Sequence, residues 1–296
     1  MSEKVKAHGV VSAAFRAHVE TTRAAAYRVV CAHPDPEAIH DFRVGLRRLR
    51  TVSRASRNLY GKRAMRQLED TCKAFGDATG ALRDAEVLAD TLAKAELDDG
   101  ARAGAATWLT DLQGREEIMR QRAVARICGP ELEETFSALA ERLRRGPKRD
   151  LGLFAYAGEG LAMARDGVVD RLPVPRSHPE HLHRLRIRFK RLRYTAEMLV
   201  AFGGALGEGK RARQSREQWG AVAKHASKMQ SRLGLFNDAA QARHLLQTAT
   251  IIPPDQRRSL ERSLVALSER LEEKSLTTLE GLPETVAGPA GSRLGS

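Results

Sequence analysis

Aromatic side chains are scarce in this chain, at 5% of 296 residues, and no run alternates β-branched with polar residues. Both absences argue against a sandwich or barrel, whose strands are built from those residues. Long apolar runs are missing too. None approaches the roughly 20 residues that cross a bilayer, so neither a membrane span nor a membrane partner is expected. The opening MSEKVKAHGV contains no apolar h-region of a signal peptide. The cysteines, Cys31, Cys72 and Cys128, are three in number and show no CxxC spacing. An odd, scattered set does not make a disulfide framework. It reads as free thiols in a reducing, cytoplasmic setting, each acting as a small buried hydrophobe.

Catalytic signatures are equally lacking. There is no Ser-His-Asp order, no Gly-rich phosphate loop and no pair of carboxylates on a basic face. His178, His181 and His183 invite a metal reading, but residues two apart do not share a helix face, and no cysteine or carboxylate joins them. The expectation is a protein that is not an enzyme and holds neither cofactor nor metal. Asp84 and Asp238 each follow a loop-like Gly and are read as helix N-caps. Trp108 and Trp219 are read as core residues.

What the chain has in abundance is Ala, Leu, Arg and Glu, good helix formers. Spacings of three and four recur, as in Leu88, Leu92 and Ala95 or Leu260, Leu264, Leu267 and Leu271. Breakers divide the pattern: AHPDPEA at 32–38, a hinge RRGPKRD at 144–150, and RLPVPRSHPE at 171–180. The closing GLPETVAGPAGSRLGS, 281–296, has little to bury and is expected to be disordered.

The net charge is +13, and its placement matters more than its size. His40–Arg66 carries nine Lys/Arg and one acid, a net of +8; His181–Arg193 carries six Lys/Arg and no acid. The rest of the chain therefore sums to −1. These two basic segments also repeat each other. IHDFRVGLRRLRT (39–51) aligns without a gap on LHRLRIRFKRLRY (182–194), 143 residues on; GALRDAEVL (80–88) aligns on GLFNDAAQA (234–242), 154 residues on. An internal duplication of this kind predicts two similar helical bundles, related by a pseudo-twofold, with the repeated segments facing a shared cleft.

On a helical wheel His40 is followed by Arg43, Arg47, Arg50, Arg54 and Arg57, in one stripe opposite Phe42, Leu46, Leu49, Val52 and Leu59. The copy places His183, Arg186, Lys190 and Arg193 opposite Leu185, Phe189 and Leu192, and Glu197 interrupts it. Arginines in single file repel one another, and no acid at i±4 relieves them. A chain of phosphates would supply the countercharge, and the planar guanidinium fork suits phosphate oxygens. The first stripe, about 25 Å long at ~1.5 Å per residue, fits an extended polymer. Each histidine is placed in its helix's first turn, where backbone N–H groups favour anions. Nucleic acid is the alternative polyanion, but the stripes offer no aromatic platform or amide for reading bases. The first stripe, longer and purely cationic, is expected to dominate the grip.

The His40-x-x-Arg43-x-x-x-Arg47-Arg48-Leu49-Arg50 motif, its copy at His183 to Arg193, and the Arg83-Asp84 and Asn237-Asp238 blocks resemble the CHAD domain, the conserved-histidine α-helical domain. The resemblance extends to about residue 280. It implies an all-α fold of two four-helix-bundle halves (1–146 and 147–280) around a basic cleft or pore that binds inorganic polyphosphate. Such proteins are not known as catalysts; some are fused to a triphosphate-tunnel enzyme, and some associate with polyphosphate granules. No ExExK signature of that enzyme is present, so a stand-alone CHAD protein is expected. The same pattern adds Lys73, seven residues before Gly80, as a ligand-facing position on the third helix. The second half has Ser227 there instead, with Lys224 and Lys228 as substitutes one turn apart.

Overall fold

The structure is a computed structural model describing residues 5–31, 35, 37–149, 151–171 and 179–280, the side chains at 83, 86, 179 and 280 excepted. The expected disordered tail, most of the two Pro-rich breakers, the Arg83 side chain and His178 lie outside the described residues. Helices follow one another as α1 (Ala7–Val30), α2 (Ala38–Ala55), α3 (Arg57–Tyr60), α4 (Lys62–Ala78), α5 (Gly80–Leu92), α6 (Asp99–Ile127), α7 (Glu131–Arg144), α8 (Leu153–Val169), α9 (Pro179–Phe202), α10 (Lys210–Gln247) and α11 (Pro254–Glu280). A short 3₁₀ turn, Gly203–Leu206, follows α9. Among the described residues the extended pairing is one isolated bridge, Lys6 with Gly152. The fold is all-α.

The repeat is visible in the helix boundaries. Adding 143 to α2 lands on α9, and adding 154 to α4 and α5 lands on α10. The halves differ there in one respect. Thr79 breaks the first copy, with φ −97° and ψ 7°, whereas α10 runs unbroken for 38 residues through Gly234. Asp84 and Asp238 therefore lie inside helices rather than at N-caps: Asp84 is the fifth residue of α5, and Asp238 is in the last third of α10. At Asp238 the local Gly signal was overridden by the continuity of α10, whereas Gly80 does open α5 but leaves Asp84 a full turn inside it.

Two compact units emerge, and they cut across the sequence halves. One comprises residues 1–81, 118–164 and 194–223; the other comprises 82–117, 165–193 and 224–296. In the first unit α2 packs on α1 and α4, and α7 packs on α4 and α1. Its core holds Phe15, Phe42, Leu46, Leu49, Val52, Leu59, Tyr60 and Phe75, all nearly inaccessible. Phe42 meets Phe75 edge-to-face, centroids 6.3 Å apart at 87°. The apolar side of α2 is thus its buried side, as its periodicity requires. Trp219 is buried here as well. Ala7 N–H donates to Leu151 O and Leu153 N–H to Val5 O, both at 2.8 Å, which ties the start of α1 to the start of α8.

The second unit's core gathers Leu88 and Leu92, Ala101, Ala105 and Trp108, Ala242 and Leu246, and Leu260 and Leu264 from α5, α6, α10 and α11. Both tryptophans are core residues in the structure. Asp98 caps α6 by accepting from Ala101 N–H at 2.7 Å, and also accepts from the Ser259 hydroxyl of α11. Small residues let α6 approach closely, since a Cβ on Gly104 would sit 3.3 Å from Gln256.

The cysteines divide. All are free thiols, but Cys72 alone is buried, while Cys31 is half-buried and Cys128 exposed. The shared buried role expected of them holds for Cys72 only, because the faces of α1 and α6–α7 that carry the other two are not covered. Burial pushes the Cys72 thiol up to about 12, with Arg50 opposing and Glu69 adding to the rise.

Two outcomes follow. Gly45 of α2 faces Thr22 of α1, where a Cβ would overlap the Thr22 hydroxyl and lie 3.2 Å from its Cα. Gly45→Ala is expected to lower stability by about 1–3 kcal/mol, the cost of overpacking, read by chemical denaturation. With a thiol reagent near pH 8, Cys128 is expected to react at once and Cys72 only after unfolding. Prompt reaction of Cys72 in the native protein would contradict its burial.

Candidate functional site

The stripe on α2 is not bare. Because α2 and α4 run antiparallel, each successive arginine meets a different turn of α4. Arg43, half-buried, donates through Nη1 to Gly76 O at 2.5 Å and to the Thr79 hydroxyl at 3.0 Å, the end of α4. Gly76 O is one of the last carbonyls of α4, at the negative end of the helix, so a cation is well placed there. Arg50 lies nearer the middle, over Cys72; its Nε is buried without a hydrogen-bond partner. Arg54 and Arg57 reach Glu69, one further turn back.

Glu69 is the unforeseen residue of this face. It is 6% exposed. Its Oε1 accepts from Arg57 Nε at 2.8 Å and lies 2.7 Å from Arg57 Nη2; its Oε2 accepts from Arg54 Nη2 at 3.1 Å. Burial draws Arg54 below the ordinary guanidinium value, Glu69 opposes that shift, and the like charges of Arg50 and Arg57 add to it. No acid stands at i±4 of the stripe, as its spacing shows, but a carboxylate does reach it. The relief comes from a neighbouring helix, not from i±4. The helix itself also stops short: α2 ends at Ala55, and Arg57 belongs to α3.

Arg47 is held differently. Its guanidinium lies 4.9 Å from the centroid of the Tyr194 ring and donates to the Tyr194 hydroxyl. Neither Arg47 nor Arg50 has a carboxylate within ion-pairing distance among the described residues. His40, third in α2, is exposed. Lys73 is exposed too and bonds Asp77 one turn on, at 2.6 Å.

In the second unit, His183 is exposed and donates from Nδ1 to Asn237 Oδ1 of α10, which leaves Nε2 for another partner. His183 is the fifth residue of α9, one turn deeper than expected, because Pro179 opens the helix. His181 bonds Arg171 O at 2.8 Å instead. Arg186 lies 4.0 Å from Asp238 Oδ1, and its Nε is buried and without a partner. It corresponds to Arg43: one faces Asp238 of α10, the other bonds the end of α4. Lys190 and Arg193 are half-buried, and each interacts with a neighbour. Lys224 and Lys228 are exposed on α10, and Lys228 helps lower His225, whose main perturbation is burial.

Of the residues named from sequence, His40, Arg43, Arg47, Arg50 and Lys73 share the first unit, while His183, Arg186, Lys190, Arg193, Lys224 and Lys228 share the second. Arg54 and Arg57 are in the first unit but engaged by Glu69. The part of the longer stripe without a countercharge is thereby shortened. Tyr194 and Glu69 went unrecognised, since one is an ordinary helix aromatic and the other an ordinary helix acid until the packing is known.

No curated protein matches this sequence. Among solved structures, the CHAD domain from the plant Ricinus communis superposes with a TM-score of 0.74 at 23% identity, covering 95% of this chain and 94% of that one. PptA from Streptomyces chartreusis superposes with a TM-score of 0.62 at 14% identity, covering 92% and 98% respectively. Both likenesses concern the fold. The sequence itself matches the CHAD domain over residues 13–247, and the chain therefore belongs to the CHAD domain family.

Proposed function

We propose that this protein binds inorganic polyphosphate without transforming it, using His40, Arg43, Arg47, Arg50 and Lys73 on one unit and His183, Arg186, Lys190, Arg193, Lys224 and Lys228 on the other. One observation carries the reading: both α2 and α9 present a histidine followed by cations in the same register, and the arginine one turn on from each histidine faces a partner on α4 or α10, respectively. Preorganised guanidinium groups lose little freedom on meeting a phosphate. A repeating anion matches a repeating row better than a single nucleotide does.

Arg47 illustrates the chemistry. Stacking on Tyr194 fixes the plane of the fork while its charge remains without a carboxylate, so the remaining N–H groups can donate to phosphate oxygens. The exposed histidines add ring N–H groups that can donate to the same oxygens. Phosphoryl transfer generally needs carboxylates to hold Mg²⁺ opposite the cations. Glu69 is instead bonded to Arg54 and Arg57, and Asp77 of α4 to Lys73. A role at polyphosphate granules belongs to the same proposal; no helix among the described residues is long and apolar enough to cross a membrane.

Affinity is expected to rise with phosphate chain length and to fall steeply with salt as counterions are released; equal binding of tripolyphosphate and long chains would count against the reading. Arg47→Glu and Arg50→Glu should each weaken binding by at least tenfold, since a charge-assisted hydrogen bond is worth roughly 1.5–3 kcal/mol, and adding Arg193→Glu should abolish it. Competition of long-chain polyphosphate against duplex DNA and RNA at about 0.15 M salt decides the polymer: a preference for nucleic acid would overturn polyphosphate as the ligand.

A further inference from the structure

We infer that Glu69 is a built-in terminator of the polyanion track: by occupying Arg54 and Arg57 it confines the ligand on α2 to the segment from His40 to Arg50. The inference rests on the polyphosphate reading and specifies where on this unit the chain stops.

Four observations support it. Glu69 is 6% exposed, and charged side chains are rarely buried unless paired. Both of its oxygens are used: Oε1 takes the two nitrogens of Arg57's fork, and Oε2 takes Arg54. The two arginines are themselves poorly exposed, with 22% and 26% of their side-chain surface accessible. Finally, the ion pairing changes along the row. Among the described residues Arg47 and Arg50 have no carboxylate within ion-pairing distance, whereas the next two cations share one.

A phosphate seeking Arg54 or Arg57 must compete with a carboxylate tethered a few ångströms away, whose effective concentration far exceeds that of any free ligand. Success would also strand a buried anion without its partners. The chain therefore gains nothing by extending past Arg50. At ~1.5 Å per helical residue the usable row shortens from about 25 Å to about 15 Å. Glu69 thus acts as a specificity determinant. It limits how many phosphates this unit neutralises, and so the dependence of affinity on chain length and salt.

The test compares wild type, Glu69→Gln, Arg54→Gln and Arg47→Gln, with thermal melts to verify folding. Binding of long-chain polyphosphate and of tripolyphosphate is measured as a function of salt. Glu69→Gln is expected to bind the long chain several-fold more tightly at low salt and to steepen the log K against log[salt] slope by about one to two, with tripolyphosphate little changed. Arg54→Gln should leave the slope at the wild-type value, and Arg47→Gln should flatten it by about one. A folded Glu69→Gln protein with the wild-type slope would overturn the terminator role while leaving polyphosphate binding intact. Should Glu69→Gln fail to fold, Arg54→Gln decides: a loss as large as that of Arg47→Gln overturns the inference. Failure of the wild type to bind polyphosphate at all would overturn the function and the terminator together.

Discussion

Repulsion between arginines spaced three and four apart on α2 is the constraint around which the first unit is arranged. At such spacings, guanidinium groups on one helix face cannot avoid one another, and each costs stability unless something compensates it. The unit does not use one remedy throughout. Arg43 is given to the carbonyl end of α4, Arg47 to the face and hydroxyl of Tyr194, and Arg54 with Arg57 to the buried carboxylate of Glu69. These remedies differ in what they leave over. An aromatic ring orients a cation such as Arg47 without cancelling its charge, whereas a buried carboxylate bonded through both oxygens, as Glu69 is, cancels it. The same residues that make the row tolerable in the folded protein thereby decide which part of it can still attract an anion.

The core explains why the arrangement is rigid enough to matter. Phe42, Leu46, Leu49 and Val52 bury the opposite side of α2 against α1 and α4, and Gly45 lets α1 approach so closely that Thr22 fills the space a side chain would take. Rotation of α2 about its axis would expose that apolar face, so the cations cannot swing away together. The second unit reaches a comparable result with different pieces. Its His183 and Arg186 meet Asn237 and Asp238 on an unbroken α10, where the first unit has the α4–α5 break at Thr79. The duplicated segments therefore keep the histidine-to-arginine register while their supporting residues diverge.

Much of this was legible in the sequence. Helix period, the Pro and Gly breakers, the concentration of charge in two segments and the internal repeat all depend on neighbours within a few residues or on direct self-comparison. The resemblance to the CHAD domain was carried by the same residues, and the family match spans residues 13–247. The readings that failed were those that took a local sign at face value. Gly before Asp238 looked like a helix start, yet packing carried α10 straight through. Three scattered cysteines looked alike, yet helix faces separated them into buried and exposed.

The sequence by itself determined that α2 and α9 would be amphipathic helices with cationic stripes, because the 3.6-residue period is a property of local spacing. Only the tertiary structure decided which of those cations remain available. That depends on the register in which α4 lies antiparallel to α2, set by interdigitating side chains such as Phe42 and Phe75, and no pattern within either helix encodes it. Glu69 shows the difference: read along α4 it is one acid among several polar residues, and only its position opposite Arg54 and Arg57 makes it the countercharge that ends the row.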